Sequence, residues 1–177
     1  MFLRLHKVCF VYLIIFSLFA NYSFSEIVKK IEIIGNDRVS SETIIMFSDI
    51  KENQNLSIQD LNDITIKLYD TNFFENIDVS LKNQQLIIKV IENPVIGKID
   101  FEGIKSKTML QDIKKQLTLK DRSSYNLIDL EYDKSIILSN LKNKGYHQPL
   151  IEVFTVTKDN NFIDILYKIE LGDKAKI

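Results

Sequence analysis

Cysteine, tryptophan, histidine, proline and glycine are all scarce in this chain. Its 177 residues include one cysteine, no tryptophan, two histidines, two prolines and five glycines. The cysteine, Cys9, lies in an N-terminal apolar run, so the rest of the chain has no disulfide, no thiolate nucleophile and no thiolate metal ligand. No glycine-rich phosphate loop, G-x-S-x-G sequence or H-E-x-x-H sequence is present. These absences exclude several common classes of enzyme.

The remaining polar residues form no recognisable catalytic or metal-binding pattern. After residue 25 the only histidine is His147, and a metal site needs three or four converging ligands. Asp60 and Asp129 are explained as helix-capping residues. The segment at 159–161 lacks the glycine and the glutamate of a calcium loop. The sequence therefore predicts no catalytic residue, no metal and no cofactor. It disfavours a periplasmic enzyme, which is the alternative to a binding protein.

An excess of basic charge is also missing. After residue 25 the chain has 21 basic and 24 acidic residues, with 7 and 12 over residues 26–93 and 14 and 12 over residues 94–177. A domain that binds nucleic acid presents a basic surface. We therefore predict no nucleic-acid partner.

The first 25 residues are organised like a secretory signal peptide. Arg4 and Lys7 form a basic start, residues 8–20 are an uncharged, mostly apolar run of 13 residues, and residues 23–25 include small side chains. The run is short against the ~20 residues of a membrane-spanning helix, although Leu3 and Leu5 could extend it into an uncleaved anchor. We expect residues 1–25 to be removed and the remainder to be exported.

An internal repeat organises the rest of the chain. The dipeptide Lys-Ile occurs four times. Three copies, at positions 30–31, 98–99 and 176–177, stand where the first strand of a unit would begin, and the first two of these are 68 residues apart. A stronger marker is a predicted helix start that combines a polar cap, an acidic third residue and a hydrophobic staple. Its two copies, at a constant spacing of 69, are Leu56, Ser57, Asp60 and Leu61, and Tyr125, Asn126, Asp129 and Leu130.

This repeat predicts two domains, residues 26–93 and 94–172, and the start of a truncated third unit at residues 173–177. Each domain has the order β-α-α-β-β. In the first, a strand covers residues 27–34, Ser40 caps a helix, residues 51–55 form a loop, and Ser57 caps a second helix that ends near Asn72. Two strands of alternating apolar residues follow.

The predicted fold class is α+β, with a three-stranded mixed sheet and two helices on one face in each unit. The last two strands form an antiparallel hairpin, and a right-handed crossover makes the third strand a parallel neighbour of the first. The strand order is then 1-3-2. Strand two lies at the edge, which agrees with Pro149 at its start in the second unit.

The two edge strands are the candidate functional sites, because an edge presents backbone N–H and C=O groups that can pair with an extended peptide. Most exposed edges have no such function, and composition alone leaves that alternative open. The candidate peptide-binding residues are Ile77, Asp78, Val79, Ser80 and Leu81 in the first unit and Ile151, Glu152, Val153, Phe154 and Thr155 in the second.

Two segments resemble the POTRA domains of the BamA outer-membrane protein assembly factor family. They are residues 64–79 (ITIKLYDTNFFENIDV) and residues 92–105 (ENPVIGKIDFEGIK), where a second helix runs into a strand and where one unit joins the next. Thr71-Asn72 lacks the glycine usual in the family, but asparagine adopts the same left-handed conformation. The resemblance extends over residues 27–177 and implies the first two POTRA domains.

The resemblance implies a periplasmic role at the outer membrane, without catalysis. The implied partners are unfolded outer-membrane β-barrel proteins, periplasmic chaperones and assembly-machine lipoproteins. Membrane association would come through a C-terminal barrel that this chain lacks, so we expect the chain to be either a fragment or a truncated gene product.

Other proteins with such domains remain alternatives. They include the TamA translocation factor and two-partner secretion transporters, which differ in the number of POTRA units. A cell-division protein of the FtsQ type fits less well, because it has a membrane anchor and a single unit.

Overall fold

Two units share the order β-α-α-β-β in the computed structural model, which describes residues 25–174, and the first unit has two additional short strands. The predicted signal peptide, up to residue 24, and the Lys-Ile pair at 176–177 lie outside the described residues. The first unit contains β1 (Ser25–Ile27), β2 (Lys30–Ile34), α1 (Ser41–Ser48), β3 (Asn55–Ser57), α2 (Ile58–Tyr69), β4 (Phe74–Lys82) and β5 (Gln85–Glu92). The second unit contains β6 (Val95–Glu102), α3 (Lys107–Gln116), α4 (Leu127–Asn143), β7 (Leu150–Lys158) and β8 (Phe162–Glu170).

The two main sheets have the predicted α+β topology. Their strand orders are β2-β5-β4 and β6-β8-β7, which correspond to 1-3-2 in each unit. The pairs β2–β5 and β6–β8 are parallel, whereas β4–β5 and β7–β8 are antiparallel hairpins. Strands β4 and β7 therefore lie at sheet edges, as predicted.

The first strand differs from the prediction. Instead of one strand over residues 27–34, the backbone changes partner at Val28, which is fully buried. The preceding strand β1 pairs antiparallel with β3, so part of the predicted loop at residues 51–55 is a strand. The Val28 amide donates to the Gln54 carbonyl oxygen (2.9 Å), whereas the next amide, that of Lys29, donates to Gln84 (2.8 Å). Local periodicity could not reveal this switch, because both partners are distant in sequence.

Capping side chains begin all four helices within residues 25–174, including the predicted caps Ser40, Ser57 and Asn126. Ser40, Ser57, Ser106 and Asn126 each accept a hydrogen bond from the backbone N–H three residues later. At α2 this is a full capping box, and hydrogen bonds from the Ser57 hydroxyl and then its amide lower the pKa of Asp60. The contribution of Asp60 to stability is therefore present at neutral pH and is lost as the pH falls through this lowered pKa.

We expect Ser57→Ala to lower the free energy of unfolding by about 1 kcal/mol, because the amide at the third helical position loses its acceptor. Urea unfolding followed by circular dichroism measures the change. Gln59→Ala, at an exposed position of the same first turn, is the matched control and should change stability by less than about 0.5 kcal/mol. Equal losses for both variants would contradict the capping role.

Each unit has its own hydrophobic core between the helices and one face of the sheet. In the first, Ile44 of α1 and Leu68 of α2 pack with Leu86 and Ile88 of β5, so both helices lie on the same face. In the second, Leu130, Ile137 and Leu141 form a buried stripe on α4 that packs in one core with β8. The fully buried members there are Ile96, Ile113, Ile137, Leu141, Ile165 and Tyr167.

Candidate peptide-binding edges and inter-unit junction

The edge strand of the first unit is partly protected. Strand β4 pairs only with β5 among the described residues. Ile77 is buried, Val79, Ser80 and Leu81 are half-buried, and Asp78 is exposed. Its inward-facing side chains thus anchor β4 to the core, and its backbone borders solvent.

One hydrogen bond shows which backbone groups of β4 point outwards. The Ile77 amide donates to the Tyr69 hydroxyl at 3.2 Å, so it faces away from β5. Because successive residues of a strand alternate in direction, the amides of Val79 and Leu81 also face outwards. Tyr69 therefore occupies the first outward donor, and an added strand would pair from Val79 onwards.

The edge strand of the second unit is much more open. Strand β7 pairs only with β8 within residues 25–174, and its residues 154–158 are all exposed. Ile151 and Val153 are half-buried, whereas Glu152, Phe154 and Thr155 are exposed. Of the two predicted edges, β7 is the more accessible.

Ion pairs surround an apolar strip on the outer face of this second sheet. Phe154 and Val156 of β7 lie beside Leu166 of β8, which faces Phe154 in the strand register. The surrounding pairs are Lys98–Asp100 (2.8 Å), Lys158–Asp164 (3.0 Å) and Lys168–Glu152 (3.6 Å). Such charged residues are typical of edges that stay soluble.

A single carboxylate at the end of the first unit joins β5 to the turn that precedes α1. Glu92, the last residue of β5, is buried, and its Oε1 accepts the amides of Asp37 (2.9 Å), Arg38 (2.9 Å) and Val39 (2.8 Å). The Arg38 Nε lies 3.6 Å from Glu92 Oε2. The end of β5 is thereby joined to the turn that precedes α1. The resemblance had singled out the segment that begins at Glu92, but the sequence did not predict this contact.

The two-residue link between β5 and β6 is held from both units. Asn93 is buried, and its backbone amide donates to the Phe73 carbonyl oxygen (2.8 Å). Its side-chain amide donates to the Asn72 backbone carbonyl oxygen (2.9 Å). From the second unit, the Asn161 side chain donates to the Glu92 carbonyl oxygen (3.1 Å). Asn72 has a φ of 58°, the left-handed conformation predicted for it. These contacts favour a fixed link over a flexible one.

A second buried carboxylate lies within the second unit. Asp133 of α4 is fully buried and accepts the amides of Thr118 (2.7 Å) and Leu119 (2.9 Å), which follow α3. The pKa of Tyr167 is raised, chiefly because the hydroxyl is buried and to a smaller extent because of the negative charge of Asp133. Asp133 lies on the buried stripe of α4, between Leu130 and Ile137. This position was a signal from which the sequence could have identified it.

The described residues offer no metal site. Within residues 25–174 no group of three or more His, Cys, Asp or Glu side chains could hold a metal ion. The amide of His147 donates to the Asp173 carbonyl oxygen (3.1 Å). Over the same residues, no helix combines the length and the apolar character needed to cross a membrane.

A family model and several proteins resemble this chain. The model, described as "POTRA: Surface antigen variable number repeat", matches residues 26–93 and 94–172. The outer membrane protein assembly factor BamA of Neisseria meningitidis is 28% identical over 160 residues, which cover 85% of this chain and 19% of that protein. BamA of Buchnera aphidicola is 23% identical over 168 residues, covering 94% and 27%. The chain thus spans about a fifth to a quarter of the length of these curated relatives.

Solved structures share the fold at low identity. The N-terminal domain of Omp85 from Thermosynechococcus elongatus aligns with a TM-score of 0.56 at 11% identity, covering 82% of this chain and 63% of that one. The POTRA1-2 segment of the periplasmic domain of Omp85 from Anabaena aligns with a TM-score of 0.52 at 13% identity, covering 86% and 99%.

Proposed function

The chain belongs to the POTRA family, and from this premise we propose that it is the periplasmic POTRA segment of an outer-membrane protein assembly factor. In this role it binds unfolded β-barrel precursors by strand addition and also contacts periplasmic chaperones and assembly-machine lipoproteins. POTRA domains of this family are not catalytic, so the chain is not an enzyme.

The observation that most supports strand addition is the open edge of β7. Five consecutive residues there are exposed, and the strand has one neighbour among the described residues. An extended peptide could add main-chain hydrogen bonds along this edge and place alternate side chains against Phe154 and Val156. The β4 edge is a shorter second site, because Tyr69 covers its start.

The proposal also covers where the protein lies in the cell, how it is exported and how it is anchored. Similarity to BamA and Omp85 proteins supports a periplasmic position at the outer membrane, with export directed by residues 1–25 and anchoring by a barrel outside this chain. The domain limits at 26–93 and 94–172 belong to the same proposal. The genomic sequence after residue 177 distinguishes it from the TamA and two-partner secretion alternatives.

Photo-cross-linking tests the edges directly. A photoreactive residue at Thr155 or Val79 of the purified chain should give adducts with an unfolded outer-membrane β-barrel precursor. Yields should exceed those at Gln59 and Lys142, exposed positions on α2 and α4, because only the edges offer backbone pairing.

An unfolded protein of similar length that is not a barrel precursor serves as comparison. Strong adducts with the precursor alone would support the proposal. Adducts at Thr155 and Val79 that do not exceed those at the two helix positions would overturn strand addition.

A further inference from the structure

A cleft of about 790 Å³ opens between the two units. Its volume is in the range of ~300–1,000 Å³ typical of ligand pockets. The first unit contributes Arg38 and Phe73, and the second contributes Arg122, Leu119 and Phe162. We call it the inter-unit cleft. Both arginines within residues 25–174 line it, so the cleft combines apolar walls with two guanidinium groups.

Arg122 stands in an unusual backbone conformation. Its φ is 68°, in the left-handed region that glycine and asparagine favour and that long side chains rarely adopt. Its amide donates to the Ile96 carbonyl oxygen (2.8 Å), which fixes the turn. Among the ion pairs of residues 25–174, none joins a carboxylate to the Arg122 guanidinium within 4.0 Å. The chain therefore retains a cationic side chain where a smaller residue would fit better, a pattern typical of functional positions.

On the opposite wall of the cleft from Arg122, the Arg38 side chain is held in place by its own unit. Its Nε lies 3.6 Å from Glu92 Oε2 and its Nη2 donates to the Asn93 carbonyl oxygen at 3.4 Å. Glu92 already accepts three amides, so it is shared with the turn before α1. The Arg38 side chain remains 39% exposed and can accept a second anionic partner. A guanidinium fixed in this way loses little rotamer freedom on binding.

The cleft also contains one acidic side chain. Asp129 lines it, but the Asn126 side-chain amide donates to Asp129 Oδ2 at 2.6 Å, and Asp129 lies in the first turn of α4. A helix N-terminus stabilises a negative charge. The arginines are therefore the groups available to an anionic ligand.

We propose that the inter-unit cleft binds an acidic residue and its apolar neighbour in an unfolded partner chain. Arg38 and Arg122 pair with the carboxylate, and Phe73, Leu119 and Phe162 contact the apolar side chain. The inference rests on the proposed peptide-binding function but uses a surface distinct from the edges of β4 and β7. Since each unit supplies one arginine, a bound peptide also stabilises the observed arrangement of the two units.

Fluorescence anisotropy with a labelled peptide tests the cleft. The probe is a short, flexible peptide that contains one Asp-Phe pair, and its comparison peptide has Asn in place of Asp. We expect the acidic peptide to bind the full chain about tenfold more tightly, because a charged partner strengthens the hydrogen bonds that it accepts. High salt should reduce the difference.

Arg122→Asn separates a binding role from a structural one. Asparagine suits the left-handed backbone, so the urea midpoint should stay equal or rise while the preference for the acidic peptide disappears. Lys142→Gln removes an exposed charge from the last turn of α4 and should keep the preference.

Equal binding of both peptides, or an unchanged preference for the acidic peptide in Arg122→Asn, would overturn the cleft proposal. Displacement of the peptide by inorganic phosphate at equal concentration would also overturn it. So would the finding that a second copy of the chain occupies the cleft. If cross-linking at Thr155 still succeeds, only the cleft proposal fails. If it fails as well, the peptide-binding function itself is wrong.

Discussion

We expect Glu92→Ala to lower the free energy of unfolding of the first unit by about 3 kcal/mol, because three backbone amides lose their acceptor. These amides belong to the turn at Asp37, Arg38 and Val39, and the last of them is in a buried environment. The Arg38 guanidinium also loses its buried partner. Breaking a buried interaction by removing one side costs more than the interaction contributes, since the remaining groups stay desolvated.

The second unit provides a matched control for this variant. Glu170 is the last residue of β8, the central strand of its sheet, as Glu92 is of β5, but Glu170 is exposed. Glu170→Ala should change stability by less than about 0.5 kcal/mol. Urea unfolding measures both variants, and Glu92→Gln should give an intermediate loss because one acceptor oxygen remains. Similar losses for Glu92→Ala and Glu170→Ala would contradict the role of the Glu92 carboxylate.

Asp133→Ala should also lower the free energy of unfolding by about 3 kcal/mol, through the second unit. The fully buried carboxylate accepts the amides of Thr118 and Leu119, so its removal leaves two buried donors without this acceptor. The segment after α3 should then separate from α4. Hydrogen exchange of these two amides reports this opening directly, and urea unfolding gives its energetic cost.

Glu131, two residues earlier on the same helix, is the control for Asp133. Its side chain is 59% exposed and pairs with Lys134 at the surface. Such pairs contribute only about 0–1 kcal/mol, so Glu131→Ala should have a small effect and leave the exchange of Thr118 and Leu119 unchanged. Faster exchange of both amides in Glu131→Ala would show that general helix loosening, and not Asp133, protects them.

Sequence patterns predicted the elements of each unit well where the signal is local. The capping residues Ser57 and Asn126 act on amides three residues away, so their role is visible in any short window. Apolar spacing on the helices and alternation on the strands follow from the geometry of one element at a time. The order of elements then restricted the sheet to a single arrangement, 1-3-2, which the structure has.

The candidate edges were predictable for the same reason, but their accessibility was not. Alternation identified Val79 and Val153 as members of edge strands. Whether a backbone amide of that edge is covered depends on side chains from elsewhere, such as the Tyr69 hydroxyl on the Ile77 amide. The sequence also could not rank β7 above β4, because exposure is a property of the assembled sheet.

By itself, the sequence determined the repeat, the class of fold, the helix starts and the family, since each depends on spacing within one unit. Only the tertiary structure decided which groups distant in sequence come into contact. Glu92 lies 53 to 55 residues from the amides that it accepts, and Arg38 and Arg122 come together in one cleft from different units. No periodic pattern encodes such contacts, because a buried polar group finds its partner through the packing of the whole chain.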